Sequence, residues 1–346
     1  MILAGDVGGT KTLLRCVDDA GNVVREERYE SGAYATFDAM VAEFLASAQE
    51  RFDAACFAVA GPVYDGRAEV TNVGWKLDEQ ALARQFKIPH VALINDFFAI
   101  AVGVPLLRDE DLITLNAGTR APDGPIGILG AGTGLGEAVL VPNGDSYLVV
   151  PTEGGHTDFA PQNEEQSRLL LHLFEKYGEH VSWERVVSGM GLVNIFTFLG
   201  GSEEEPARIA ELAGEGDRIA MRTMEMFVDA YGAEAGNMAL GVLARGGVFL
   251  AGGIAAKNRR WFTDGAFRAA FVRKGRFRSL LETIPVHLIV NERVGVIGAA
   301  EWAGRAATAL RPGSQAHRLR VAPVWSPTFS HVACARSSSL AVRVLL

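Results

Sequence analysis

The chain has 346 residues, 49% of them hydrophobic and 21% charged, and a formal net charge of -8. That length exceeds what a single core usually fills, so two domains are expected. The acidic balance disfavours nucleic-acid and anionic-membrane partners, which select a basic face, and leaves a small molecule as the expected ligand. Cys16, Cys56 and Cys334 stand far apart without metal-ligand spacing, so neither a disulfide framework nor a structural zinc is expected. No charged region followed by an apolar stretch opens the chain, and no apolar run reaches spanning length, so the expected location is cytoplasmic.

The first strand, Ile2 to Ala4, leads into Gly5-Asp-Val-Gly-Gly-Thr-Lys-Thr12. This nearly satisfies the Walker A pattern, with Thr10 where the second glycine belongs. A Walker loop feeds a helix, whereas Leu13 to Val17, the turn Asp19 to Asn22 and Val23-Val24 read as a hairpin. Thr36 to Arg51 carries apolar residues at helical spacing, with Thr36 as N-cap. Ala54 to Ala60 reads as a buried strand stopped by Gly61-Pro62, and Asp78 to Phe86 as a short helix. Strand His90 to Ile94 ends at Asn95 and Asp96, before a helix from Phe97 to Val102. Ligands of open α/β sheets sit beyond the carboxyl ends of strands, so Asp96 is a candidate catalytic group; a helix cap is the other role open to the Asn-Asp pair.

The stretch Gly130 to Gly136, GAGTGLG, has glycine at every second position between the apolar runs Ile126 to Leu129 and Ala138 to Val141. Such spacing makes a poor strand and a good bend, where backbone N–H groups can approach an anion. The Rossmann pattern fails in both glycine segments. Each segment is followed by a strand, a tight polar turn and a third strand, so the chain looks duplicated, with two phosphate-holding hairpins able to face one nucleotide. Glu153, His156 and Asp158 crowd the glycine-containing turn after the second hairpin; convergent donors and acceptors of this kind suit a polyhydroxyl ligand, and a metal site is weak without cysteine or a second histidine in spacing.

Glu164 to Tyr177 is a helix whose stripe Leu169, Leu170, Leu173 and Phe174 is expected in the core. Ser182 to Val187 opens a short helix with Ser182 as cap, in which Glu184 could merely complement the helix dipole. Residues 217 to 244 form a long helical pattern interrupted by glycines. Val248 to Ile254 reads as a strand running into a glycine turn at Gly252-Gly253, where an adenine could lie close to the backbone. Strand Val286 to Val290 and helix Val294 to Ala309 complete the pattern. Residues 305 to 346 hold six arginines and no acidic residue; with Pro312, Pro323 and Pro327 they read as an irregular basic tail from 310 to 346.

In combination, GDVGGTKT, INDF around Asp96, GAGTGLG, EGGHTDFAP, HVSWERVVSG and AGGI resemble the bacterial glucokinases that lack a zinc-binding cysteine cluster, over residues 1 to 305. The resemblance implies a duplicated α/β fold of the actin-like, ribonuclease-H-like kind, in two domains about a central cleft. Residues 1–106, completed by helix 294–309, would form a small domain and residues 107–293 a large one. It further implies ATP-dependent phosphorylation of glucose at the 6-hydroxyl, with Asp96 as general base and Asn95, Glu153, His156 and Glu184 on the sugar. Gly5, Asp6, Gly8, Gly9, Thr10, Lys11, Gly130, Gly132, Thr133, Gly134, Gly252 and Gly253 would face the nucleotide, and Asp6 would hold Mg2+ indirectly. A homodimer is the family expectation. The rival readings are a kinase for another hexose and a non-catalytic sugar sensor on the same fold, and a strand beginning at Ile2 is taken to leave no helix-turn-helix before it.

Overall fold

The computed structural model describes residues 1–46, 51–203 and 205–309. Cys334, the end of the first expected helix at 47–50 and the tail from 310 onward lie outside the described residues.

The apolar runs of the N-terminal part pair into one sheet. β1 (Ile2–Val7), β2 (Lys11–Val17) and β3 (Val23–Glu30) form an antiparallel meander closed by the turn at Gly21, whose φ is +85°. β4 (Ala54–Val59) is buried at every position, as a parallel strand covered on both faces requires. Next comes a small sheet that the sequence reading missed, β5 (Val63–Tyr64), β6 (Arg67–Val70) and β7 (Trp75–Asp78). With β8 (His90–Asn95), the main sheet has the order β3-β2-β1-β4-β8, its last two pairings parallel.

The second sheet repeats this plan. After β9 (Leu112–Asn116), the strands β10 (Ile126–Ala131), β11 (Leu135–Asn143) and β12 (Ser146–Thr152) form the meander, and β13 (Gly247–Ala251) and β14 (Val286–Ile289) add on in parallel. The order is β12-β11-β10-β13-β14-β9, so the second sheet differs only by the antiparallel edge strand β9. The duplication expected from the two glycine hairpins is therefore present strand for strand. Both glycine segments turn one strand into its antiparallel neighbour, which excludes a Walker loop.

Capping follows the residue chemistry. Thr36 caps helix Phe37–Leu45, Asp78 caps Glu79–Phe86, Asn163 caps Glu164–Tyr177 and Asp217 caps Arg218–Gly241, each accepting a backbone N–H. The long helix runs through its glycines unbroken. Gly232 and Gly236 instead let helix Ala266–Val272 come close, since a Cβ on Gly232 would stand 2.5 Å from Phe267 O.

Two expectations need correction. Leu169 and Leu173 are buried, but Phe174 is 40% exposed and Leu170 only partly covered, because one helix face is narrower than the stripe. Ser182 caps no helix, and the chain beyond it makes a single 3-10 turn, Trp183–Arg185. The strand expected to run into a glycine turn does so: it ends at Ala251, Gly252, at φ +88°, turns the chain, and Gly253 begins the short helix Gly253–Lys257.

Helix Val294–Ala309 returns to the first sheet. Val296, Ala299 and Ala303 share a buried cluster with Ile2, Ala4, Ala58 and Ala99. Gly298 crosses the carbonyl of Ala99 in helix Asp96–Gly103 with no room for a side chain.

Candidate active site

Parallel register places Val7, Val59 and Asn95 side by side at the carboxyl ends of β1, β4 and β8. Asp6 lies one residue before this row and Asp96 one residue after it. Asn95 is the helix cap, its Oδ1 accepting the N–H groups of Phe97 and Phe98 at 2.9 and 3.1 Å. Its Nδ2 donates to Gly61 O at 3.1 Å and to Asp96 Oδ1 at 3.0 Å. Asp96 Oδ1 also accepts the Phe97 N–H, at 2.8 Å, and Oδ2 takes no part in these bonds. The two roles open to the pair are thus divided: Asn95 caps the helix and braces its neighbour.

Burial lifts the Asp96 carboxyl above the ordinary carboxylate range, against the pull of the Phe97 and Asn95 hydrogen bonds. Burial, and after it the charge of Asp96, pushes Asp6 up to about 6, with Arg28 acting in the opposite sense. The two carboxylates therefore feel each other.

In the first hairpin, Gly8 N–H donates to Lys11 O at 3.0 Å, while Thr10 and Lys11 are exposed. Gly9 lies against Asn72, where a Cβ would come within 2.6 Å of the asparagine Cβ. Ser31, missed in the sequence, ties this loop down: its N–H donates to Thr10 O at 2.8 Å, its Oγ donates to Gly8 O at 2.7 Å, and Thr12 Oγ1 lies 3.0 Å from that Oγ. Gly5 is inside β1, packed against Phe57 and Leu14. In the second hairpin, Gly132 N–H donates to Gly134 O, Gly132 O accepts from Gly189 N–H, and Thr133 is exposed. Gly130 lies within β10, where the ring of Phe97 occupies the space a side chain would need. Gly252 is pressed against the Ala131 carbonyl, bringing the Gly252-Gly253 turn beside this hairpin. The hydroxyl of Tyr231, a fully buried residue, accepts the Ala131 N–H at 3.1 Å.

The sugar candidates from the second half assemble on two zipped segments. Phe159 N–H donates to Val181 O and Trp183 N–H to Thr157 O, at 2.9 and 3.0 Å. His156 Nε2 is 3.8 Å from Glu153 Oε2, both exposed. Glu184 Oε2 accepts the Leu135 N–H at 3.0 Å and lies against Gly134, so this residue is bound to the second hairpin and is no mere dipole partner. His180, also missed, sits with Nε2 2.9 Å from His156 O and Nδ1 3.1 Å from Asp158 Oδ1.

Duplicated sheets, each with a glycine hairpin, and a braced carboxylate at a strand end define the actin-like sugar-kinase class. Comparison with known proteins narrows this. The Glucokinase family profile matches residues 3–306. A glucokinase of a Nostoc species is 44% identical over 339 residues, covering 88% of this chain and 99% of its own, and one from a Synechocystis species is 41% identical over 346 residues, covering 88% and 98%. A crystal structure of glucokinase from an Antarctic psychrotroph superposes with a TM-score of 0.80 at 29% identity, covering 87% of this chain and 98% of the other. The chain belongs to the glucokinase family.

Proposed function

We propose that the chain transfers the γ-phosphoryl group of ATP to the 6-hydroxyl of glucose, with Asp96 as the general base. The observation that carries the role of Asp96 is its arrangement: a half-buried carboxylate at the end of β8, held through Oδ1 by Asn95 and Phe97. Its other oxygen is left to take the proton of an acceptor hydroxyl as that hydroxyl oxygen attacks phosphorus. Phosphoryl transfer asks for aligned phosphates, neutralised charge and such a base, and for little covalent chemistry from the protein.

In this reading the hairpins at 8–11 and 132–134, with the turn at Gly252-Gly253, hold the nucleotide. Glu153, His156 and Glu184 hold the sugar, and Asn95 fixes Asp96 as well as bordering the sugar. Asp6 fits a part in holding Mg2+, through water or phosphate, because a cation there relieves the repulsion between two half-buried carboxylates. When bound, the ion would neutralise the phosphate oxygens. The division into residues 1–106 with helix 294–309, and 107–293, belongs to the same reading, supported by the packing of that helix on the first sheet. So do a cytoplasmic location and a homodimer, the latter testable by sedimentation equilibrium.

The test of substrate is ADP release from magnesium-ATP with glucose, mannose, fructose, N-acetylglucosamine and no sugar. The reading predicts that kcat/KM is highest for glucose; equal or higher values for another hexose would reassign the substrate, and glucose binding without turnover would favour a sensor.

A further inference from the structure

Beneath the turn that carries Glu153 and His156 lies a buried carboxyl pair that phosphoryl transfer itself does not use. Glu137, on β11 opposite Thr152 of β12, is 5% exposed, and so is Glu234 in the middle of the long helix Arg218–Gly241. Their carboxyls lie against each other, and burial pushes both well above the ordinary carboxylate range, with the charge of Glu234 pushing Glu137 further. Glu137 Oε1 has no hydrogen-bond partner among the described residues. Glu234 Oε2 accepts from Asn237 Nδ2 at 2.7 Å, and Asn237 Oδ1 accepts from Lys274 Nζ at 2.6 Å, so the pair is anchored to the core of the second half.

The other end of the pair faces the turn. Gly154 sits directly on Glu137 Oε2, where a side chain would collide, and Gly155 sits on the carbonyl of Leu135. Thr152 Oγ1 donates to Glu137 O at 3.3 Å and accepts Gly154 N–H at 3.2 Å. The glycine pair thus lays the turn flat on β11, with the Glu137 carboxyl as its floor. An aliphatic side chain would fill the same space without burying two acids, at a desolvation cost that a purely structural element has no reason to carry.

We propose that Glu137, paired with Glu234, is a positioning residue for the sugar: it sets the height of the turn Thr152–His156 over β11 and thereby the reach of Glu153 and His156. This rests on the reading that the turn binds glucose. The pair resists displacement, because both side chains are buried in close-packed surroundings and Glu234 is tied to Asn237.

The test is a kinetic series with melting temperatures: Glu137→Gln, Glu137→Leu, Gly154→Ala, and Glu153→Ala as reference. Glu137→Gln keeps a donor for Glu234 and is expected to hold the glucose KM within about twofold of the natural enzyme. Glu137→Leu and Gly154→Ala are expected to raise the glucose KM about tenfold or more, with the ATP KM changed less than about twofold, because displacement of about 1 Å is costly at a binding site. Gly154 is only half-buried, so its variant keeps the test decisive if the leucine variant fails to fold. An unchanged glucose KM in Gly154→Ala, or equal rises in both KM values that track a lost melting temperature, overturns the proposal. If Glu153→Ala raises the glucose KM and these variants do not, only the proposal falls; if Glu153→Ala leaves it unchanged, the assignment of the turn falls with it.

Discussion

The ring of Phe97 occupies the space that a side chain on Gly136 would need: a Cβ there would meet Phe97 Cδ2 at 2.6 Å. Gly130, across the hairpin in the same register, faces the same ring. Phe97 follows Asp96 directly, so the helix that carries the candidate base rests on the second glycine hairpin. Two of the four glycines in GAGTGLG make room for this ring. Gly136→Ala should therefore push the ring away and lower kcat by about 10²-fold through misplacement of Asp96, with about 1–3 kcal/mol lost to overpacking. Adding Phe97→Leu should recover part of the stability. Steady-state kinetics and thermal melts of the two variants check this, and a Gly136→Ala enzyme with natural kcat would show that the contact positions nothing.

Ser31 offers a second handle, on the first hairpin. Ser31→Ala removes the Oγ bond to Gly8 O and the contact with buried Thr12 Oγ1. Leaving these partners unsatisfied should cost about 1–3 kcal/mol in a denaturant melt. The ATP KM should rise while the glucose KM stays put, because only the first hairpin is loosened.

The fold was legible because each half announces itself through a glycine hairpin between apolar runs, and the cap read at Thr36 stands one residue before its helix. The site was legible where a short motif holds its chemistry, as at Asn95-Asp96. Residues that act across the sheets were not. Ser31, His180, Phe97 and Glu137 touch partners distant in the chain, and a single sequence carries no periodicity for such contacts. The contact of Gly130 and Gly136 with the Phe97 ring was hidden for the same reason: a glycine cleared for a distant ring looks like one cleared for an anion. The strands β5, β6 and β7 are too short for alternation to stand out.

The elevated Asp6 carboxyl gives a stability prediction with a definite sign. Because burial holds it near 6 in the folded chain, against 3.8 for the ordinary group, the unfolded state ionises first as pH rises. Stability is then lost between about pH 4 and 6 and stays lower above that. Asp6→Asn should remove this loss, making the variant more stable than the natural protein by about 1–3 kcal/mol above pH 7 in magnesium-free buffer. Urea melts at pH 4, 6 and 8 check it; a variant less stable than the natural protein at pH 8 would contradict the assignment of strain to this site.

Asp96 should also leave its mark on the rate. Protonated, it cannot accept the hydroxyl proton, so kcat/KM for glucose should fall on the acid side, with its midpoint above the ordinary carboxylate range because burial raises the group. A pH profile of kcat/KM locates that limb; a midpoint at or below 3.8, the ordinary value, would remove Asp96 from the role.

The role of Asp96 is tested most directly by Asp96→Asn, assayed for glucose binding by calorimetry and for turnover by coupled ADP release. The side chain keeps its shape and its place beside Asn95 and loses only the ability to accept a proton. A general base at this position predicts nearly unchanged glucose affinity and melting temperature, and a kcat lowered by about 10²–10⁴-fold. Turnover close to that of the natural enzyme, with glucose bound as before, would mean that the proton leaves by another route and that Asp96 is only a brace at the start of its helix.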